Sequence, residues 1–267
     1  MTRHAQEEPA ARSPRASRAP WGFLGCVALC VALWPLDAAL VPLMDAHGTR
    51  TEDADWFRGL RALGSVYPWL ALCAVYALVD SGRRGGSGAR LTWSRGPFVV
   101  AAPVLAGLAA ELLKPLIGRA RPDARWLLDR TLDQADPATF TYVWIPWAER
   151  LGAVSDLGAP SSHAAVSMAG MAALAVLHPR GAPALLALAA GCGLTRVLSR
   201  GHYASDVALG AAVGLLIVWV IVRLGRRAHP LPVPPPPPAP AMAPPPARPH
   251  AQAHAAAAAS GRAGSDG

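Results

Sequence analysis

The chain has 267 residues, of which 52% are apolar and 16% are charged, and this composition is too apolar for an ordinary soluble domain of that length. Its net charge of +8 comes from arginines that flank apolar runs or lie within motifs, so it indicates membrane topology and argues against nucleic acid as a partner. The four cysteines lie inside apolar runs without pairing or metal-ligand spacing, and we expect them to be buried and unreactive.

The N-terminal part of the chain combines a polar tail with the first apolar run. Residues 1–20 contain arginines and prolines among polar residues and are predicted to be disordered. The run Trp21–Met44 is long enough to cross a membrane. Basic residues before an apolar stretch also suit a cleaved signal peptide, but the length of the run and its internal Trp34, Pro35 and Asp37 favour a retained helix.

Further apolar runs follow, separated by polar loops. They cover Ser65–Val79, Pro97–Ile117, Ser162–Leu177, Pro183–Leu198 and Val207–Leu224. Some are short for a span, but backbone groups in lipid must be hydrogen-bonded within their own segment, which favours helices. The sequence therefore predicts an all-α fold, a six-transmembrane-helix bundle formed by residues 21–227.

The distribution of arginine predicts the orientation of this bundle. With six spans, arginines of the N-terminal tail, the second loop, the turn after the fourth span and the end of the sixth span share one side. The positive-inside rule makes that side cytoplasmic, in what we expect to be the bacterial inner membrane. Residues 228–267 are rich in proline, then in alanine and glycine, and are predicted to be a disordered cytoplasmic tail. A recruitment role for its polyproline stretch is an open alternative.

Three clusters of polar and ionisable residues border the spans, where such groups are costly unless they have a function. They are Lys114 with Arg121 and Pro122, then Pro160 to His163, then Arg196 with His202 and Asp206. Lys114 is the single lysine among 24 arginines. The topology puts all three clusters at the same face of the membrane, opposite the arginine-rich loops, so we expect them to converge on one site.

These clusters resemble the signature of the type 2 phosphatidic acid phosphatases, the PAP2 superfamily. That signature is Lys, six residues, Arg-Pro, then Pro-Ser-Gly-His, then Ser-Arg, five residues, His, three residues, Asp. Lys114 and Arg121 have the first spacing, and Arg196, His202 and Asp206 have the third, with threonine in place of serine before Arg196. Ser162 stands at the position of the signature glycine. The resemblance covers roughly residues 21–225.

The resemblance implies a role for each of these residues. His202 would be the nucleophile that forms a phosphohistidine, and Asp206 would accept a hydrogen bond from its other ring nitrogen. His163 would protonate the leaving alcohol and then activate water. Lys114, Arg121, Ser161, Ser162 and Arg196 would bind the phosphate, the cations by charge and the serines as donors near a helix N-terminus. No metal or other cofactor is implied.

Several residues outside the signature are left with alternatives. Arg119 and Arg200 are extra cations that could contact a larger or more acidic head group. Asp37 and Glu111 could pair with site cations, but structural contacts are the favoured interpretation, and Lys114 with Glu111 could be a simple helix pair. The loop between Ala120 and Ala159 carries aromatics that suit either the membrane interface or a packed cap; they are Trp126, Tyr142, Trp144 and Trp147.

The sequence thus predicts an integral membrane phosphatase that removes phosphate or diphosphate from a lipid at the outer or periplasmic face. Undecaprenyl diphosphate, phosphatidylglycerol phosphate and phosphatidic acid all suit the resemblance. One alternative is a relative that acts on a soluble phosphate or holds vanadate as a haloperoxidase. Another is a membrane protein that binds or transports an anion without turnover, which the pair His202 and Asp206 argues against because binding alone needs no nucleophile.

Overall fold

The structure is a computed structural model that describes residues 19–40, 51–83, 95–122 and 141–228. These ranges are helical apart from short 3-10 turns, loops and isolated bridges, and they contain no strand. The predicted all-α fold is therefore confirmed. The predicted disorder of the two tails is wrong for residues 19, 20 and 228, which are helical; the rest of the tails and Trp126 lie outside the described ranges.

The helices begin and end close to the predicted apolar runs. Their bounds are Ala19–Leu33 (α1, continued by the 3-10 turn Trp34–Leu36), Asp55–Ala62 (α2), Tyr67–Arg83 (α3), Arg95–Ile117 (α4), Ser162–Leu177 (α5), Ala182–Leu198 (α6) and Ala204–Ala228 (α7). The bounds of α5 equal the predicted run, because the polar cluster before it and His178 after it end the apolar sequence on both sides.

Four of the described stretches are long and apolar enough to cross a membrane. They are Trp21–Leu40, Arg95–Ile117, Pro179–Leu198 and Ala204–Gly225. The pair α2 and α3, bent by 68°, would make a fifth span. Helix α5 has 16 residues and so covers about 24 Å, less than the ~30 Å hydrocarbon core. The chain is an integral membrane protein. That it has six spans remains a prediction.

Helix α2 was not among the predicted elements. It is short and amphipathic: Phe57 is buried, whereas Trp56 is exposed and charged residues occupy the remaining face. Leu60 packs against Gly191 of α6. The sequence signal for this helix was too weak because eight residues cannot span a membrane and their apolar positions are interrupted by Asp55, Arg58 and Arg61.

Helix α5 lies at the centre of the bundle and contacts α4, α6 and α7, while α1 packs along α7. The core between these helices consists largely of alanine, which lets the backbones approach closely. Two glycines of α7 bring this helix nearest to α5. A Cβ added to Gly210 would lie 2.3 Å from the carbonyl oxygen of Ser161, and one added to Gly214 would lie 2.6 Å from that of Ala165.

Gly214→Ala is therefore expected to destabilise the bundle by about 1–3 kcal/mol, because the new methyl group must push backbone away rather than a flexible side chain. Thermal unfolding in detergent measures the effect. Gly225→Ala on the same helix is the matched control, since a Cβ at Gly225 meets nothing within 4 Å. Equal melting temperatures for the two variants would contradict the close approach of α5 and α7.

Candidate active site

The first polar cluster is placed by the end of α4. Lys114 lies in the last turn of the helix, is 2% exposed, and its Nζ is 2.6 Å from Glu111 Oε1 and 3.5 Å from Ser162 Oγ. The helix ends at Ile117 and is followed by Gly118, whose φ of +76° favours glycine and whose N–H donates to the Lys114 carbonyl at 2.8 Å. Arg150 donates to two further carbonyls of this helix end, those of Pro115 and Leu116.

After Gly118 the chain is extended and held between two returning segments of the long loop. On one side, the Ala120 N–H donates to the Val143 carbonyl and the Ile145 N–H to the Gly118 carbonyl, both at 2.9 Å. On the other side, the Gly158 N–H donates to the Arg119 carbonyl at 2.7 Å and the Arg121 N–H to the Asp156 carbonyl at 2.8 Å. Ala120 packs into a small apolar cluster with Ile145 and Leu157. The described part of the loop is thus a packed cap, although Trp144 and Trp147 remain exposed on it.

The second polar cluster forms the start of α5. Ser161 is the N-cap residue; its N–H donates to the Asp206 carbonyl at 3.0 Å, and its buried Oγ has no hydrogen-bond partner among the described residues. Ser162 is the first residue of the helix and does not have a positive φ. Serine in place of the signature glycine therefore carries no backbone strain here, and its Oγ faces Lys114.

The third polar cluster joins the end of α6 to the start of α7. Arg196 and His202 are both buried, and His202 Nδ1 is 2.7 Å from the Gly158 carbonyl oxygen. Since a carbonyl can only accept, Nδ1 carries the proton, and Nε2 of the neutral ring keeps its lone pair. Asp206 Oδ2 is 4.0 Å from Nδ1, too far for a hydrogen bond. The predicted His202–Asp206 hydrogen bond is wrong in this structure, where Gly158 takes that place.

Gly158 is a site residue that the sequence analysis missed. A Cβ at this position would lie 3.0 Å from Asp206 Oδ2 and 3.2 Å from the Ala120 carbonyl oxygen. A larger side chain would thus have to displace either the carboxylate or the backbone. In the sequence, Gly158 is a single glycine just before the second cluster, and a single glycine on its own indicates no more than a turn.

Asp206 is connected to the second cluster and to Arg119, which lies between Lys114 and Arg121 of the first. One carboxylate oxygen accepts from Arg119 Nη2 and the other from the Tyr203 N–H at 3.0 Å, while its backbone carbonyl accepts from Ser161. The bond to Tyr203 is half of a capping box, in which the third residue of a helix caps the N–H that precedes it. Asp206 therefore fixes the backbone immediately after His202 rather than its ring.

The match to a family model covers residues 98–230, and the family is the PAP2 superfamily. The chain belongs to the PAP2 superfamily. Its fit to the superfamily signature was visible in the sequence, and the structure brings the three parts of that signature together at one end of α4, α5, α6 and α7.

Three relatives illustrate what this PAP2 chain is similar to. A lipid A 1-phosphatase of Rhizobium etli is 35% identical over 156 residues, covering 57% of this chain and 61% of that protein. One of Rhizobium johnstonii is 34% identical over the same length, covering 57% and 58%. A probable diacylglycerol pyrophosphate phosphatase of Schizosaccharomyces pombe is 25% identical, covering 50% and 54%. The chain thus spans less than two thirds of the length of each of these relatives.

Among solved structures, this PAP2 chain is similar to the transmembrane PAP2 type phosphatidylglycerolphosphate phosphatase of Bacillus subtilis. The identity is 18% and the TM-score 0.45, over 81% of this chain and 98% of that one.

Burial and nearby cations both favour the neutral form of His202. Burial is the larger effect and lowers its pKa well below the usual value, and the charges of Arg196, Arg121 and Lys114 lower it further. The hydrogen bond to Gly158 acts in the opposite direction. The same three cations, together with Arg61 of α2, act on the His163 ring. Both histidines of the PAP2 signature therefore face a strongly positive pocket.

The His163 ring is covered by the turn between α2 and α3. A Cβ at Gly64 would lie 2.6 Å from the ring, and the His163 carbonyl accepts a weak hydrogen bond from Cys192 Sγ at 4.0 Å. Elements outside the matched residues 98–230 thus contribute to the pocket of this PAP2 protein.

All four cysteines are free; Cys30 and Cys192 are buried, and Cys26 and Cys73 are half-buried.

The charged residues outside the signature, Arg119, Arg200 and Asp37, differ in burial and in their contacts. For Arg119, contact with a head group was one possibility, but its side chain is fully buried and paired with Asp206. Arg200 is exposed and has a φ of 54°, in the left-handed region that follows a helix end. Asp37 accepts from Ser205 and from Tyr142, which fits the expected structural contact. Within the described ranges, no three His, Cys, Asp or Glu side chains are grouped to hold a metal.

The low pKa of His202 can be measured by nitrogen-15 NMR of histidine-labelled protein in detergent without substrate. An ordinary histidine with a pKa of about 6.5 is roughly 90% protonated at about pH 5.5. We expect His202 to stay largely neutral there, because its proton binds only when the pH falls through the lowered pKa. In Arg196→Gln the pKa should rise, since one neighbouring cation is lost.

The matched control for this titration is Arg180→Gln, which removes an exposed arginine at the opposite end of α5. Its His202 titration should equal that of the unaltered protein. A His202 ring that is mostly protonated at about pH 5.5 in the unaltered protein would contradict the burial and the charges described above.

Proposed function

We propose that this protein is a membrane phosphatase that hydrolyses the phosphate or diphosphate group of a lipid, with His202 as the nucleophile. One observation carries the proposal: Gly158 holds the proton on Nδ1, which leaves Nε2 of a buried, neutral ring as a lone-pair donor among three cations. An imidazole nitrogen in that state can attack phosphorus, whereas an anion-binding site has no need for it.

The phosphate would be bound by the three cations of the signature. Arg121 and Arg196 would make planar two-point contacts with its oxygens, and Lys114 would act as a compact charge. The buried hydroxyl of Ser161 and the first N–H groups of α5, beginning at Ser162, would add donors. These groups supply the charge stabilisation that phosphoryl transfer requires.

The reaction would proceed in two displacements. In the first, His202 Nε2 forms a bond to phosphorus as the bond between phosphorus and the lipid oxygen breaks, and His163 gives that oxygen its proton. In the second, His163 takes a proton from water, and the water oxygen replaces Nε2 on phosphorus. Inorganic phosphate leaves, and the His202 lone pair and the His163 proton are restored.

A lipid substrate is supported by the position of the site and by the relatives. The pocket lies at the ends of helices that are long and apolar enough to span a membrane. Two relatives are named lipid A 1-phosphatases and a third a probable diacylglycerol pyrophosphate phosphatase. The phosphate of a lipid moving within the bilayer would reach this depth, and lipid A 1-phosphate is the first substrate to test.

The test is phosphate release by purified protein from a panel of lipid phosphates, with and without a chelator. The panel contains lipid A 1-phosphate, phosphatidylglycerol phosphate, phosphatidic acid, diacylglycerol pyrophosphate and undecaprenyl diphosphate. We expect metal-independent turnover of at least one of them, because protein cations neutralise the phosphate, and we expect His202→Ala to abolish it. In His163→Ala both displacements should slow, because this variant keeps the nucleophile but can neither protonate the departing lipid oxygen nor activate water.

His178→Ala is the matched control for the loss of a histidine. His178 follows α5 at its other end, where its Nε2 is 2.6 Å from the Tyr76 hydroxyl. This variant should keep its turnover. Activity that survives in His202→Ala would exclude His202 as the nucleophile, and a protein that binds phosphate but turns over no lipid would support an anion-binding function.

We also propose that the site faces the outside or the periplasm and that both chain ends lie in the cytoplasm, in the inner membrane of a bacterium. The arginines at the end of α7 support this orientation, since Arg223, Arg226 and Arg227 lie at the helix end remote from Asp206. A reporter that works only in the cytoplasm is therefore expected to be active when it is fused after Arg227, and a reporter that works only outside is expected to be inactive there. A reporter that is active outside would reverse the orientation.

A further inference from the structure

Arg119 is the most completely buried cation of the site, and the proposed reaction leaves it unused. Its side chain is 0% exposed, and its Nη2 donates to the Asp206 carboxylate and to Ser205 Oγ, the latter at 3.0 Å. Its Nη1 is 3.8 Å from Asp37 Oδ2. A guanidinium that is paired in this way and closed off from the pocket cannot bind a head group.

We propose that Arg119 is a positioning residue for His202, and that Asp37 of the first helical segment holds Arg119 in place. The proposal rests on the proposed function, in which His202 is the nucleophile. It adds a group outside the signature residues, and it extends the catalytic architecture to a segment that precedes the residues 98–230 matched by the family model.

The first connection from Arg119 to His202 uses the main chain. The Arg119 carbonyl accepts a hydrogen bond from the Gly158 N–H at 2.7 Å. The Gly158 carbonyl in turn accepts from His202 Nδ1, also at 2.7 Å. The peptide position of Arg119 thus fixes the acceptor that selects the tautomer of His202 and the direction of its ring.

The second connection uses the side chain. The Arg119 guanidinium binds one oxygen of the Asp206 carboxylate, and the other oxygen accepts from the Tyr203 N–H, the residue next to His202. Arg119 therefore holds the ring of His202 through Gly158 and its backbone through Asp206. Two independent constraints that originate in one residue leave His202 little freedom to rotate away from an incoming phosphate.

The guanidinium is itself fixed by its surroundings. Three aromatic rings surround it, with distances from Arg119 Cζ to the ring centroids of 4.4 Å for Trp34, 5.0 Å for Tyr142 and 5.3 Å for Tyr203. The Tyr142 hydroxyl donates to Asp37 at 3.1 Å, and burial with the Asp37 charge raises the pKa of Tyr142, so this hydroxyl stays a donor. Asp37 also accepts from the Ser205 N–H at 3.1 Å.

Arg119 also determines which charge His202 experiences. Two fully buried carboxylates, Asp37 and Asp206, share this one guanidinium. Without it, Asp206 would be an uncompensated anion 4.0 Å from His202 Nδ1 and would favour the protonated ring. The other charged groups that act on His202 are cations that favour the neutral ring: Arg196, Arg121 and Lys114. Loss of Arg119 is therefore expected to raise the pKa of His202, so that the ring becomes protonated at a higher pH than in the unaltered protein.

The experiment compares Arg119→Gln with the double variant Arg119→Gln/Asp37→Asn, which loses one charge of each sign and so avoids two unpaired carboxylates. Turnover is measured on the lipid phosphate that the unaltered protein hydrolyses, and the His202 pKa by nitrogen-15 NMR without substrate. In both variants kcat should fall by about 10- to 100-fold, because the nucleophile is misplaced, with little change in KM. The His202 pKa should rise in both.

Two further variants separate positioning from general stability. Arg119→Lys keeps the positive charge, so its His202 pKa should stay near that of the unaltered protein while kcat is only partly restored. Arg223→Gln is the matched control; it removes an arginine that stacks on Trp219 at 5.5 Å at the far end of α7, and both readouts should be unchanged.

Three outcomes would overturn the proposal. An unchanged kcat and His202 pKa in the double variant would make Arg119 a purely structural residue. A raised KM with unchanged kcat in Arg119→Gln would make it a substrate-binding residue. An Arg119→Lys variant with the same raised pKa as Arg119→Gln would exclude the charge effect. If the unaltered protein hydrolyses no lipid phosphate, the proposed function fails, and the NMR titration still decides whether Arg119 controls His202.

Discussion

The carboxylate of Asp206 is the group on which the arrangement of the site depends. It accepts from Arg119 after α4 and from the N–H that begins α7, and the carbonyl of the same residue accepts from Ser161 at the start of α5. In a region that excludes water, a carboxylate must find donors within the protein, because leaving one oxygen without a partner costs free energy. Asp206 thus joins the start of α5 and the start of α7 to the segment between Lys114 and Arg121.

Much of this arrangement could be predicted from the sequence, because apolar runs mark helices and the charged clusters lie at their ends. The predicted bounds of α5 were correct, and the ends of α4 and α6 were predicted to the residue. Gly158 and the amphipathic helix α2 could not be predicted in this way. A backbone carbonyl leaves no trace in the side-chain pattern, and a short interfacial helix lacks the length that makes a span recognisable.

The different fates of Arg119 and Arg121 show a second limit. The two arginines are two residues apart in an extended segment, so alternation puts both side chains on the side opposite Ala120. Residue type and spacing therefore do not distinguish Arg119, which neutralises buried carboxylates, from Arg121, whose Nε donates to the Leu157 carbonyl at 3.2 Å. What distinguishes Arg119 is Asp37, which lies 82 positions earlier in the chain, in the first helical segment. A pairing over that separation follows from the packing of α1 along α7 and not from any local pattern.

The surface of α4 relates this site to a substrate held in a bilayer. Leu108, Leu112 and Leu116 are exposed at intervals of four residues, which places them on one face of the helix. Lys114 lies on the same two turns but is buried, so the last turns of α4 carry exposed leucines outside and a lysine, paired with Glu111, inside. For a lipid phosphate this is a suitable geometry, because the acyl chains can remain against the leucines while the phosphate turns inward at the helix end. The same geometry offers no advantage to a soluble phosphate, for which an exposed cationic surface would be sufficient.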